Sequence, residues 1–159
     1  MVLGAFGGKI CLCDWVESRR RQQVDRRVQR ALGAVYEEED DSLLQLAAAQ
    51  LDSYFSGRLR AFSLPLCWCG TSFQQAVWQA LLEIPFGCTV TYGELARRLG
   101  CPSAVRAVAG AVGANAQPVL VPCHRVVGAD GALTGFSGGL KAKAWLLAHE
   151  DTGKLDFER

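Results

Sequence analysis

The chain has 159 residues, half of them hydrophobic and 21% charged, enough to bury a core as one domain or two small ones. No apolar run approaches the ~18 residues of a membrane span, and Lys9 and Asp14 soon interrupt any opening signal peptide, so neither a membrane nor a secreted protein is expected. Residues 1–56 carry 7 basic and 9 acidic groups and the remainder 10 and 7, a tilt too mild to imply nucleic acid by itself.

From the N-terminus, Gly4 to Trp15 reads as a hairpin turning at Gly7-Gly8, with Ile10 to Cys13 as its second strand. Arg19 to Leu32 has Val24, Val28 and Leu32 at helical spacing, with basic residues on the other faces. The acidic string Glu37 to Asp41 precedes Ser42 and a second helix, Leu43 to Phe55, with Gly57 as its stop. These elements make a small α/β scaffold without a chemical motif. Phe62 to Leu66 reads as an extended connector.

Beyond it, Ser72-x-x-Gln75 is a capping box opening a helix with Phe73, Val77, Ala80 and Leu81 inward, ended by Pro85-Phe86-Gly87. Thr91-x-x-Glu94 opens a helix from Tyr92 to Leu99, stopped by Gly100. Ser103 is placed to cap a third, from Ala104 to about Gly113. Two short helices joined by a tight turn form a helix-turn-helix candidate. With Gly128 to Gly131 as a hairpin turn, the segment looks winged-helix-like. Thr134 to Gly139 is a loop, and Leu140 to His149 is a last helix.

The seven cysteines are residues 11, 13, 67, 69, 88, 101 and 123, an odd number that fits a reducing cytoplasm better than a disulfide framework. Cys11/Cys13 and Cys67/Cys69 have C-x-C spacing, which is not that of a zinc site; in extended chain each pair shares a buried face. Cys123 differs. It stands in Val119 to Val127, an apolar run read as a short buried strand interrupted at Pro122, and beside it are His124 and Arg125. A thiol next to an imidazole and a guanidinium is expected to ionise below the ~8.5 of a free thiol.

The motif Pro122-Cys123-His124-Arg125-Val126, followed by Gly135-Phe136-Ser137-Gly138-Gly139 and Leu146-Leu147-x-x-Glu150, resembles the O6-alkylguanine-DNA alkyltransferases, or methylated-DNA–protein-cysteine methyltransferases. Phe73-x-x-x-Val77-Trp78, Thr91-Tyr92-Gly93-Glu94, Arg106-Ala107-Val108 and Asn115 extend the resemblance over residues 62–150. It implies an α/β (α+β) chain, with a ribonuclease-H-like N-terminal domain at residues 1–66 and a winged-helix-like domain at residues 67–159. It further implies a cytoplasmic monomer with no cofactor and no metal, acting on double-stranded DNA that contains O6-alkylguanine, and also on O4-alkylthymine.

In the roles this resemblance implies, Cys123 accepts the alkyl group once and irreversibly. His124 takes the thiol proton through a water, Glu150 orients His124, and Asn115 holds the bend. Tyr92 assists the leaving guanine and presses on a phosphate. Ser137 bonds guanine O6, while the backbone of Cys123 and Val126 accepts from the exocyclic amine. Arg106 replaces the flipped base in the stack, and Ala104, Ala107 and Gly110 let its helix approach the minor groove. Phe136 stands where the family often has Tyr, a lost hydroxyl expected to change little.

Two other readings compete. A damage sensor or winged-helix regulator would use the same helices without transfer, although the retained thiol favours transfer. A cysteine hydrolase would use Cys123 and His124, but adjacent residues suit acyl transfer poorly and no oxyanion-hole signature stands beside them.

Overall fold

In the computed structural model, which describes residues 1–151, the chain opens with an antiparallel pair, β1 (Val2–Phe6) and β2 (Lys9–Asp14). Gly7 and Gly8 turn it with φ of 58° and 76°, values glycine adopts without strain. Gly4 faces Leu12 but Ala5 faces Ile10, so Cys11 is an extra residue on β2. This bulge breaks the alternation: Ile10 and Cys13 pack into one apolar cluster, Cys11 and Leu12 into another. The expectation that Cys11 and Cys13 share a face is thereby corrected. Cys67 and Cys69 do share a cluster, their sulfurs 3.8 Å apart.

Two helices cover the two faces. The first, α1 (Arg21–Leu32), lays Val24 and Val28 against Cys11 and Leu12; α2 (Ser42–Phe55) lays Ala47, Leu51 and Tyr54 against Ile10 and Cys13. The cap of α2 is Asp41, whose carboxylate accepts from the amides of Leu43 and Leu44 at 2.7 and 3.2 Å. The connector then runs parallel to β2: the amide of Ile10 donates to the Pro65 carbonyl and that of Cys67 to the Ile10 carbonyl, each at 2.8 Å.

In the second half, the cap of α3 (Ser72–Leu82) lies one residue earlier than predicted: Thr71 and Gln74 form the capping box, not Ser72 and Gln75. A residue that caps through its side chain is typically extended, as Thr71 is at φ −65° and ψ 164°, whereas Ser72 is already helical. The buried face is Val77, Trp78 and Leu81, whereas Phe73 is exposed. Gly70 makes room for Trp78: a side chain there would meet the indole ring. β3 (Val90–Thr91) leads into α4 (Tyr92–Arg98), capped by Thr91 and Glu94 as expected. Next, α5 (Val105–Gly113) completes the helix-turn-helix. Ser103 does not cap it: Ala104 is the capping residue, in a tight turn with its amide on the Cys101 carbonyl.

The run from Val119 to Val127 is not a strand. Val119 has φ 76°, Cys123–Arg125 is a turn of 3-10 helix, and only β4 (Val126–Val127) is extended, parallel to β3. Pro118 and Pro122 each lack the N–H that a ladder needs, so the backbone bonds locally instead. The Cys123 amide donates to Val121 and the Arg125 amide to Pro122. Gly128 to Gly131 forms its turn, but no antiparallel strands flank it among the described residues, so the expected wing hairpin is absent there. The last helix, α6 (Leu140–Glu150), buries Lys143, Leu146 and Glu150.

One apolar cluster lies within the second half around Val77, Leu81, Leu95, Val108 and Val126. Another joins Ile10, Ala47 and Tyr54 to Val119, Leu120 and Leu146, so the two halves share core. Each fully buried aliphatic side chain contributes about 1.5–3 kcal/mol. The rigidity of the turn at Cys123 therefore draws on both halves.

Candidate active site

The 3-10 turn buries all three of its residues, with Cys123 at 7% exposure and His124 at 0%. Asn115 holds the approach to it: its side-chain amide donates to the Val121 carbonyl at 2.9 Å and its oxygen accepts from the Gln117 amide at 2.9 Å. The bend that the sequence attributes to Pro122 is thus built from two prolines, a left-handed Val119 and this asparagine.

Glu150, the last residue of α6, anchors the turn from the other side. Its Oε1 accepts from His124 Nε2 at 2.8 Å, Arg125 Nη2 at 2.9 Å and the Tyr54 hydroxyl at 2.6 Å. Its Oε2 accepts from Arg125 Nε at 2.8 Å, with the Gly87 amide 3.4 Å away. Burial opposes the carboxylate charge, yet the bonds from His124, Arg125 and Tyr54 hold the group well below the ordinary carboxylate range. Arg125 also donates to the Ile84 carbonyl at 2.6 Å, so it faces Glu150 rather than the thiol.

For His124, burial outweighs the bond to Glu150 and lowers its pKa, which keeps the imidazole neutral at rest. Its Nε2 is committed to Glu150, and its Nδ1 has no partner among the described residues. That nitrogen is free to accept a proton. Cys123 runs against expectation: burial pushes its thiol up to about 11, with Asn115 and Lys143 only partly offsetting the rise. The thiol is protonated at neutral pH, so attack requires a group that takes its proton.

Lys143 sits inside α6's buried face and donates to the carbonyls of Val126 at 2.6 Å and Thr134 at 2.9 Å. Tyr92 donates to the same Thr134 carbonyl at 3.3 Å, with the Lys143 ammonium 6.0 Å from its ring centroid. The Cys123 and Val126 carbonyls each already accept one bond, from the Val126 amide and Lys143, and each keeps a second lone pair. Ser137 is half-buried in the 134–139 loop and makes no hydrogen bond among the described residues. Phe136 packs edge-on to Trp15 at 6.2 Å, and a side chain at Gly138 would meet the Trp15 indole, so the loop rests on the first half. On α5, Arg106, Ala107 and Gly110 are exposed and Ala104 half-exposed, forming one row.

The structure thus gathers Cys123, His124, Glu150 and Asn115, ties Tyr92 in through Thr134, and sets the α5 row apart on the surface. It adds three residues: Arg125 as a partner of Glu150, Lys143 and Tyr54. Lys143 had a legible signal, since 143, 146 and 150 share a helical face. Tyr54 had none, because its spacing with Ala47 and Leu51 is that of a core aromatic. No group of three or more His, Cys, Asp or Glu side chains converges to hold a metal among the described residues, and none of their helices is long and apolar enough to cross a membrane.

Residues 72–152 match the family model of the 6-O-methylguanine DNA methyltransferase DNA binding domain, and residues 8–67 match that of its ribonuclease-like domain. A methylated-DNA–protein-cysteine methyltransferase of Mycobacterium leprae is 54% identical over 104 residues, covering 65% of this chain and 63% of that protein. The Haemophilus influenzae protein of the same name is 48% identical over 122 residues, covering 76% and 68%. The crystal structure of Mycobacterium tuberculosis OGT in complex with DNA superposes with a TM-score of 0.81 at 39% identity, covering 94% of this chain and 85% of that one. O6-methylguanine-DNA methyltransferase from Pyrococcus kodakaraensis gives 0.69 at 27% identity, covering 94% and 89%. A buried Cys-His-Glu arrangement beside a helix-turn-helix, in a chain matched along both halves, leads to one assignment: this chain belongs to the 6-O-methylguanine DNA methyltransferase family.

Proposed function

We propose that the chain repairs DNA by moving the alkyl group of O6-alkylguanine, and of O4-alkylthymine, onto Cys123. The carbon–sulfur bond forms as the carbon–O6 bond breaks, and guanine leaves restored. The thiol proton passes through a water to His124 Nδ1, and Glu150 stabilises the resulting imidazolium. Tyr92 donates a hydrogen bond as guanine leaves, Ser137 bonds O6, and the Cys123 and Val126 carbonyls use their second lone pairs on the exocyclic amine. The thioether has no water-labile bond, so each molecule acts once, as a monomer and without a cofactor.

The observation that carries this reading is the His124 Nε2 to Glu150 contact of 2.8 Å, which leaves Nδ1 without a partner on the residue that follows the buried Cys123. The exposed row on α5 supports DNA binding through the minor groove, with Arg106 filling the gap left by a flipped base. The hydrolase reading loses support: the Cys123 and Arg125 amides are both engaged, so neither supplies an oxyanion hole at the thiol.

Intact-mass spectrometry after incubation with an O6-methylguanine duplex tests the reading. Product should plateau at one methyl per chain, mapped to Cys123. Turnover beyond one equivalent, an unmodified protein, or methyl chiefly on the exposed Cys88 would overturn it.

A further inference from the structure

Tyr54 comes from α2, in the half of the chain that carries no chemical motif, yet it is fully buried and its hydroxyl ends on Glu150. Its ring is wedged among Phe55 at 5.4 Å, Phe62 at 5.3 Å, Phe86 at 6.2 Å and the His149 ring at 5.2 Å. Its carbonyl oxygen lies 2.6 Å from His149 Nε2, a second tie to the end of α6. The hydroxyl therefore has one aim, and packing fixes it.

We propose that Tyr54 is a positioning residue of the proton relay, sharing Glu150 Oε1 with His124 so that the imidazole stays neutral and able to take the Cys123 proton. The inference rests on the relay described under the proposed function. A carboxylate oxygen has about two lone-pair sites, and Oε1 faces three donors. The Tyr54 contact, at 2.6 Å, is shorter than those of His124 and Arg125 at 2.8 and 2.9 Å. Each donor draws off charge that would otherwise stabilise an imidazolium. Without Tyr54, Glu150 would pull harder on His124 and favour its protonated form, which cannot act as a base.

The charged and titratable groups around His124 are Glu150 and Lys143 from α6, Arg125 from the turn, and Cys123 beside it. Arg125 and Lys143 act in the same direction as Tyr54, and Glu150 opposes them. Burial and the bond to Glu150 raise the pKa of the Tyr54 hydroxyl, so it remains a donor across the working range.

The test is the pH profile of Cys123 alkylation by free O6-benzylguanine, read together with 15N imidazole NMR of the two histidines. Tyr54→Phe keeps the ring and its packing. It should move the acidic midpoint, and the His124 titration with it, upward by about one pH unit. Site-specific 3-fluorotyrosine at position 54, a stronger donor of the same shape, should move both downward. Profiles that superimpose on the wild type, even with lower stability or a lower plateau, reduce Tyr54 to packing and overturn the inference. Glu150→Gln separates the two levels of the reading. If it leaves the His124 titration in place, the relay itself is wrong. If it moves the titration and neither change at Tyr54 does, only the Tyr54 assignment falls.

Discussion

Two buried cysteine environments in this chain invite comparison, the Cys11–Cys67–Cys69 cluster of the first half and Cys123 in the second. Burial pushes the Cys11 thiol up to about 11 and Cys69 up to about 12, and it pushes Cys123 up to about 11 as well. Low dielectric alone thus makes all of them inert thiols and cannot mark the nucleophile. The neighbours make the distinction. Around Cys11 and Cys69 the titratable groups are mainly other thiols, which raise one another, with Arg27 near Cys69 offsetting only part of that rise. Around Cys123 stand Asn115 and Lys143, which lower it, and Asp14, which raises it, and the next residue in the chain is a neutral histidine backed by an ionised glutamate. On the proposed mechanism, reactivity comes from a place for the proton to go, not from a preformed thiolate.

Removing the group behind that histidine should produce the largest effect. Glu150→Ala leaves Arg125, His124 and the Tyr54 hydroxyl without their buried partner, and a broken buried ion pair costs about 3–5 kcal/mol. Urea unfolding measures it, and a loss below about 1 kcal/mol would mean a surface-like pair. Glu150→Gln keeps the shape and should slow transfer about 10²–10⁴-fold, the typical reach of general-base catalysis, with duplex affinity unchanged. Transfer at the wild-type rate would make the two cysteine environments equivalent after all.

Arg106→Ala tests the surface half of the comparison. As an exposed side chain on α5, Arg106 takes no part in activating the thiol. Extruding a base costs a few kcal/mol, and in the proposed flipping role the Arg106 guanidinium helps offset it. Its loss should therefore impair repair of duplex DNA at least tenfold while leaving reaction with free O6-benzylguanine unchanged; equal losses in both assays would refute the flipping role.

The smallest effect sharpens the comparison at its origin. A thiol raised to about 11 gains thiolate tenfold per pH unit until that value, so iodoacetamide labelling of Cys123 in the resting protein should keep rising well past pH 9. A plateau near the ~8.5 of a free thiol would show that the thiolate forms before substrate arrives.

What the sequence determined by itself is whatever rests on neighbours within a turn or two of chain. Gly7-Gly8 specifies the hairpin, Thr91 and Glu94 cap α4 through bonds three residues apart, apolar spacing finds α1, and the acidic string and Gly57 bracket α2. The family resemblance, carried by motifs in fixed order, named Cys123, His124, Glu150 and Asn115. Even local reading slipped by one residue at Thr71 and Asp41, because each caps from an extended backbone that composition does not reveal.

Only the tertiary structure decided the rest. The run at 119–127 has the composition of a strand, but its prolines and the Asn115 bonds across six residues make it a turn. Arg125 looked like a guanidinium for the thiol, and the end of α6, 25 residues on, turned it toward Glu150 instead. Tyr54 reaches the same carboxylate across 96 residues of chain. A hydroxyl on a core-spaced aromatic carries no sign of its partner in the sequence, since burial creates the need for a hydrogen bond and packing alone selects who meets it.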